Sequence, residues 1–221
     1  NSAYGLYSLL TNTTGANNVA VGEQALYANT TASYNTGVGY LALTANTTGT
    51  QNVAMGSGAL DANTTGDFNV AVGNNALGAN TTADSNTAVG RDALLLNTTG
   101  SHQTASGFEA LATVATTSFN TAYGSQALKV AVADSCVAVG AQSLVACTSG
   151  AGNTAVGRDS MGATTTGANN VAVGKSALYA NTTGASNTAV GLNSLDANTT
   201  GGQNVALGDN ALGANTTADY N

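Results

Sequence analysis

Residues able to do chemistry are scarce in this chain. Its 221 residues include two cysteines, Cys136 and Cys147, and one histidine, His102. A structural zinc site takes four thiolate or imidazole ligands at close spacing, and His102 is the only soft ligand besides the two thiols. No nucleophile–base arrangement, no carboxylate pair in fixed relation and no glycine-rich phosphate loop feeding a helix can be drawn. Catalysis, a metal and a cofactor are therefore not expected. Cys136 and Cys147 leave two readings open. They pair as a disulfide if their Cα atoms lie within ~7 Å, or they are buried thiols filling small sites. Nine Asn-Thr-Thr triplets, at Asn12, Asn29, Asn46, Asn63, Asn80, Asn97, Asn181, Asn198 and Asn215, match the N-glycosylation acceptor pattern, but Asn at a stacked turn explains all nine without sugar, and glycans at ~4.8 Å spacing would collide.

The elements that position these residues follow from a repeat. Registered on the glycine of N-x-A-x-G, the chain resolves into thirteen units beginning at Asn1, Asn18, Asn35, Asn52, Asn69, Asn86, Gln103, Asn120, Cys136, Asn153, Asn170, Asn187 and Asn204. Every spacing is 17 residues except the 16 from Asn120 to Cys136. Such a short period suits one turn of a β-solenoid; a helix pair needs more than about 30 residues. Numbering the unit as columns 1–17, column 5 is glycine throughout: Gly5, Gly22, Gly39, Gly56, Gly73, Gly90, Gly107, Gly124, Gly140, Gly157, Gly174, Gly191 and Gly208. These are read as structural turn residues, a position with φ > 0 or no room for a Cβ. Column 9 is Leu with one Met161, and column 3 is Ala with one Gly37. Columns 6, 7, 10, 16 and 17 vary and carry almost every charge, so the fixed columns are placed inside and the variable ones outside.

The resulting expectation is all-β: a parallel β-solenoid of thirteen 17-residue coils over residues 1–221, with an irregular section at about 101–166. Within a coil, N-V-A-V is one strand, the glycine turns the chain, A-L-x-A is a second strand and N-T-T-G-x-x is the return. Asn of columns 1 and 12 are expected to stack as ladders, and Leu forms an apolar spine. Columns 2 and 4 point away from column 3, so N-V-A-V-G is apolar on both faces and reads as covered on both. Identical chains around a shared axis are the simplest cover, which places a homotrimer ahead of a monomer.

Composition limits partners. A net charge of −7 with four basic residues offers no patch for phosphates, so nucleic acid is not expected. No apolar run approaches the ~20 residues of a membrane span. The chain opens in mid-pattern and neither end shows a capping unit, which suggests a fragment of a longer chain or end-to-end stacking.

The segments N-T-A-V-G, N-V-A-V-G-x-x-A-L and A-L-Y-A-N-T-T-G-A-S-N-T-A-V-G resemble the head repeats of YadA-type trimeric autotransporter adhesins. They are also similar to arrays in bacterial and phage tail-fibre-domain proteins. The resemblance spans all thirteen units. It implies a left-handed parallel β-roll trimerised into a fibre or adhesin head, located extracellularly on a cell surface or virion, with a host-surface receptor or glycan as partner. Where the repeat weakens, His102, Phe108, Phe119, Tyr123 and Lys129 are a candidate contact patch, set against simple repeat drift. The alternative function is an ice-binding β-solenoid with stacked Thr rows. Calcium is not implied, because Asp67, Asp84 and Asp219 share column 16 with other residue types.

Overall fold

A computed structural model of the chain describes residues 1–130 and 133–221. Ala131 and Val132, within the stretch where the repeat loses a residue, lie outside the described residues. The chain divides into two compact units, Asn1–Thr116 and Thr117–Asn221. No described helix is long and apolar enough to cross a membrane.

In the first unit seven three-residue strands follow in chain order: β1 (Ser2–Tyr4), β2 (Val19–Val21), β3 (Thr36–Val38), β4 (Val53–Met55), β5 (Val70–Val72), β6 (Thr87–Val89) and β7 (Thr104–Ser106). Each pairs parallel with the next, one repeat along. Ala3 lies beside Ala20, Ala54 beside Ala71, and Val72 beside Val89. The second unit holds β8 (Thr121–Tyr123), β9 (Val137–Val139), β10 (Thr154–Val156), β11 (Val171–Val173), β12 (Thr188–Val190) and β13 (Val205–Leu207), stacked the same way. The fold is thus an all-β parallel solenoid in which like residue lies on like. Thr121 pairs with Val137, 16 residues on, so the short repeat recovers full register by its next strand. Leu128 N–H still donates to Ser143 O at 2.9 Å, and Ala133 O still accepts from Asn120 Nδ2 at 2.9 Å.

Column 5 ends each strand. Gly22 has φ +133°, and a Cβ there would lie 2.5 Å from Gly39 O. Glycine is needed for the conformation and for the close approach of stacked coils.

The expected second strand is not formed. After the glycine the chain runs through consecutive turns, in which Ala25 N–H donates to Gly22 O, Tyr27 N–H to Gln24 O and Asn29 N–H to Leu26 O. The amides between them reach neighbouring coils: Gln24 N–H to Leu6 O, Leu26 N–H to Ala42 O and Ala28 N–H to Thr44 O. Columns 7 and 9 sit in the left-handed region, as at Gln24 (φ 58°) and Leu26 (φ 52°). An isolated left-handed residue without glycine costs energy. Here stacking imposes it, because inter-coil bonds and burial of Leu26 both require it. Alternation in A-L-x-A resembles a strand, and tertiary packing overrides it.

The interior is thin and uniform. In the inner coils column 3 is buried Ala, apart from Gly37, and column 8 is buried Ala or Ser, while column 9 is a fully buried Leu, or Met161, as at Leu26, Leu77, Leu128 and Leu178. Burying each Leu contributes about 1.5–3 kcal/mol. Asn fills the remainder. In column 12, Asn63 Nδ2 donates to Asn46 Oδ1 (2.9 Å) and to Gly66 O (3.1 Å), and Asn63 Oδ1 accepts from Asn80 Nδ2 (2.8 Å). This is the amide ladder expected. Column 1 differs: its Oδ1 chiefly caps the backbone N–H of the next coil, as Asn35 N–H donates to Asn18 Oδ1 at 2.9 Å, while Asn35 Nδ2 donates to Gly49 O at 2.8 Å. Buried backbone groups that no strand could pair are satisfied in this way.

Candidate functional site

The strands present an outward face that the repeat builds coil by coil. Column 3 is buried in every inner strand, which turns columns 2 and 4 outward together. They form two parallel rows, column 2 of Val and Thr and column 4 mainly of Val, with coils ~4.8 Å apart. Val19, Val21, Met55 and Val89 in the first unit, and Val171 and Val173 in the second, count among the exposed large apolar side chains. The strand is apolar on both sides as read from sequence, and within each unit the chain covers only one.

The threonines of N-T-T separate into two kinds. The first hydroxyl donates to the backbone carbonyl of the next coil, as from Thr47 to Thr64 O, Thr64 to Thr81 O and Thr182 to Thr199 O, each at 3.0 Å. The second, such as Thr31 or Thr48, is exposed. Inner Asn side chains of the triplets are fully buried and committed to the ladder, so a glycan on them is incompatible with this fold.

Cys136 and Cys147 occupy columns 1 and 12 of one coil, both fully buried and unbonded to each other. Each directs its Sγ at Gly150 O, at 3.3 Å. They repeat with sulfur the arrangement of Asn35 and Asn46, whose amides converge on Gly49 O. A hydrogen bond from the Cys147 thiol pulls Cys136 down to about 7 against the effect of burial, while the same bond and burial push Cys147 up.

The candidate contact patch is distributed over several columns. His102 and Phe119 occupy column 17, Phe108 column 6, Tyr123 column 4 and Lys129 column 10. His102 and Phe108 belong to the first unit and the other three to the second. The Phe108 ring lies 4.5 Å from the Arg91 guanidinium of the preceding coil, a cation–π contact between stacked neighbours. Column 12 also loses its asparagines in this region: Val114 and Cys147 are buried there, and Thr164 Oγ1 is buried without a partner.

Sequence reading missed the role of column 16, treated there as a free exterior position. Its side chains cap the preceding coil. Asp67 Oδ1 accepts from Thr50 N–H (2.6 Å) and Thr50 Oγ1 (3.1 Å), Asp84 Oδ1 from Asp67 N–H (2.7 Å), and Asp134 Oδ1 from Ser118 N–H (2.8 Å). The recurrence of Asp, Ser and Thr in that column is the signal, since short oxygen-bearing side chains bond nearby backbone N–H groups. Among the described residues no group of three or more His, Cys, Asp or Glu could hold a metal ion.

Asp61, in column 10, is a carboxyl whose affinity for protons is raised. Burial causes it, opposed by hydrogen bonds from the backbone N–H groups of Ala62 and Asp61. A raised carboxyl favours the folded state only while protonated, so its contribution is lost as pH rises above the ordinary carboxylate range. Asp61→Asn is expected to raise the Tm slightly at pH 7 and to lose that advantage below about pH 4, read by thermal melts across pH.

Comparison with family models, with curated proteins and with solved structures finds no match for this chain.

Proposed function

We propose that this chain is a structural segment of an extracellular fibre or adhesin, three copies of which pack through the outward faces of their strands. Its task is mechanical: to hold attached parts at a distance and to present a repetitive surface to a receptor or glycan. The observation that carries this reading is the double row of columns 2 and 4, Val and Thr in the first and mainly Val in the second, regular and uncovered within each unit. Extended apolar surfaces of this kind are unusual on monomers, and identical chains supply an identical complementary row. Low charge elsewhere agrees with a scaffold that recognises through shape. In the ice-binding alternative free hydroxyl rows would order water, but the first Thr of every triplet before the last already donates to a backbone carbonyl.

Sedimentation equilibrium on the pure chain tests the assembly. The expected result is three chains per particle. Val72→Lys, which sets a charge on the outward face, is expected to yield monomers while leaving the β-type circular dichroism unchanged. A wild-type monomer would overturn the proposal, and a monomer that also showed freezing-point hysteresis would favour the ice binder.

A further inference from the structure

We infer that Cys136 and Cys147 are a built cross-linking site, joined as an intramolecular disulfide when the chain folds in an oxidising compartment. Three observations support it. The sulfurs are neighbours, since the Sγ of each lies 3.3 Å from the same carbonyl oxygen, Gly150 O. Side-chain burial is complete at both positions, so the pair sits where a bond would be shielded from reductants. Finally, forming the bond orphans no polar group. The two S–H donors are lost, but Gly150 O keeps a stronger donor, Asn153 Nδ2 at 2.9 Å. The Asn153 N–H bonds the Cys136 sulfur, where other coils present a column 1 Oδ1 to the column 1 N–H that follows, and a disulfide sulfur remains there to receive it.

The substitution also makes structural sense of its position. Columns 1 and 12 elsewhere hold the coil through paired amides. In the next coil column 12 carries Thr164 in place of Asn, so the amide ladder does not resume beside Cys147. A covalent link between the two columns would replace the lost hydrogen bonds in the coil that follows the shortened repeat.

The chemistry is thiol–disulfide exchange with a protein or small-molecule disulfide while the coil is still open. The Cys136 thiolate attacks one sulfur of that disulfide and expels the other as a thiolate. The Cys147 thiolate then attacks the Cys136 sulfur of the mixed disulfide and expels the second thiolate. Two protons pass from the cysteines to the two released thiolates, and the external disulfide is reduced by two electrons.

The test is to produce the whole chain by export to the bacterial periplasm, then alkylate it in strong denaturant without reductant and weigh it. The expected mass is that of a monomer with no alkyl adducts, about 2 Da below the reduced chain, with both thiols becoming reactive after dithiothreitol. Cys147→Asn is expected to show one adduct on the same protocol, which confirms that alkylation is complete. Two adducts on the wild-type chain, or a disulfide-linked dimer, would overturn the inference. Neither outcome bears on the trimer, whose proposed contact lies on columns 2 and 4.

Discussion

Gly73→Ala is expected to destabilise the first unit by about 4 kcal/mol, the sum of backbone strain and overpacking terms of roughly 1–3 kcal/mol each. Gly73 has φ +136°, a region that side chains with a Cβ rarely enter, and the added methyl would lie 2.5 Å from Gly90 O and 2.6 Å from Gly90 C. Neither the carbonyl nor the peptide behind it can retreat, because Gly73 N–H donates to Met55 O and Gly90 N–H to Val72 O in the same stack. Gly78→Ala is the control. That glycine, in column 10, does not need a positive φ, and its added methyl would approach nothing closer than Asn75 O at 3.3 Å. Neighbouring coils carry Asp61 and Leu95 at the same column. Its effect is expected to stay within about 1 kcal/mol, partly offset by lower entropy of the unfolded chain. Chemical denaturation of both variants measures the contrast, and equal losses would refute the role given to column 5.

Asn63→Asp carries the second large effect, with almost no change of volume. The Asn63 amide donates twice, to Asn46 Oδ1 and Gly66 O. A carboxylate there would face two acceptor oxygens, fully buried, and could donate to neither. Leaving a buried charge unpaired costs about 3–5 kcal/mol. The new carboxyl would have its proton affinity raised in the folded state, so stability returns as pH falls below the ordinary carboxylate value of about 4 and is lost as pH rises. Asn63→Ala, which removes the donors and leaves a cavity, should be destabilised by a similar amount but without that pH dependence. Melts at pH 4 and pH 7 distinguish the two, and an aspartate variant as stable as wild type at pH 7 would show that the ladder is not holding the coil.

Much of this architecture is legible in the sequence because identical columns report identical environments. A glycine in all thirteen copies can only mark a place where the coil allows no side chain, and a Leu column can only be the interior. Parallel pairing at one-repeat register follows once each turn closes on itself. Two features were hidden. The segment after column 5 reads as a strand because A-L-x-A alternates, yet Leu26 and its counterparts adopt left-handed backbone under the demands of inter-coil hydrogen bonds, which propensity does not encode. Column 16 reads as unconstrained because Asp67 and Ser33 differ in charge and size. What they share is an acceptor oxygen, and only the stacked geometry shows the backbone N–H that each one reaches. The apolar outward face was legible from the pattern of columns 2 and 4, although nothing within a single chain names what covers it.

The central claim is that each copy of the motif closes one turn and stacks on the last. Spin labels at Glu23, Ser57 and Arg91, all exposed column 6 positions of the first unit, test it through pairwise distances. With coils ~4.8 Å apart, the backbone separation should be about 10 Å for Glu23–Ser57 and about 19 Å for Glu23–Arg91, increasing by one fixed step per repeat. Separations that do not scale with the number of intervening copies would contradict the stacked solenoid and every conclusion drawn from it.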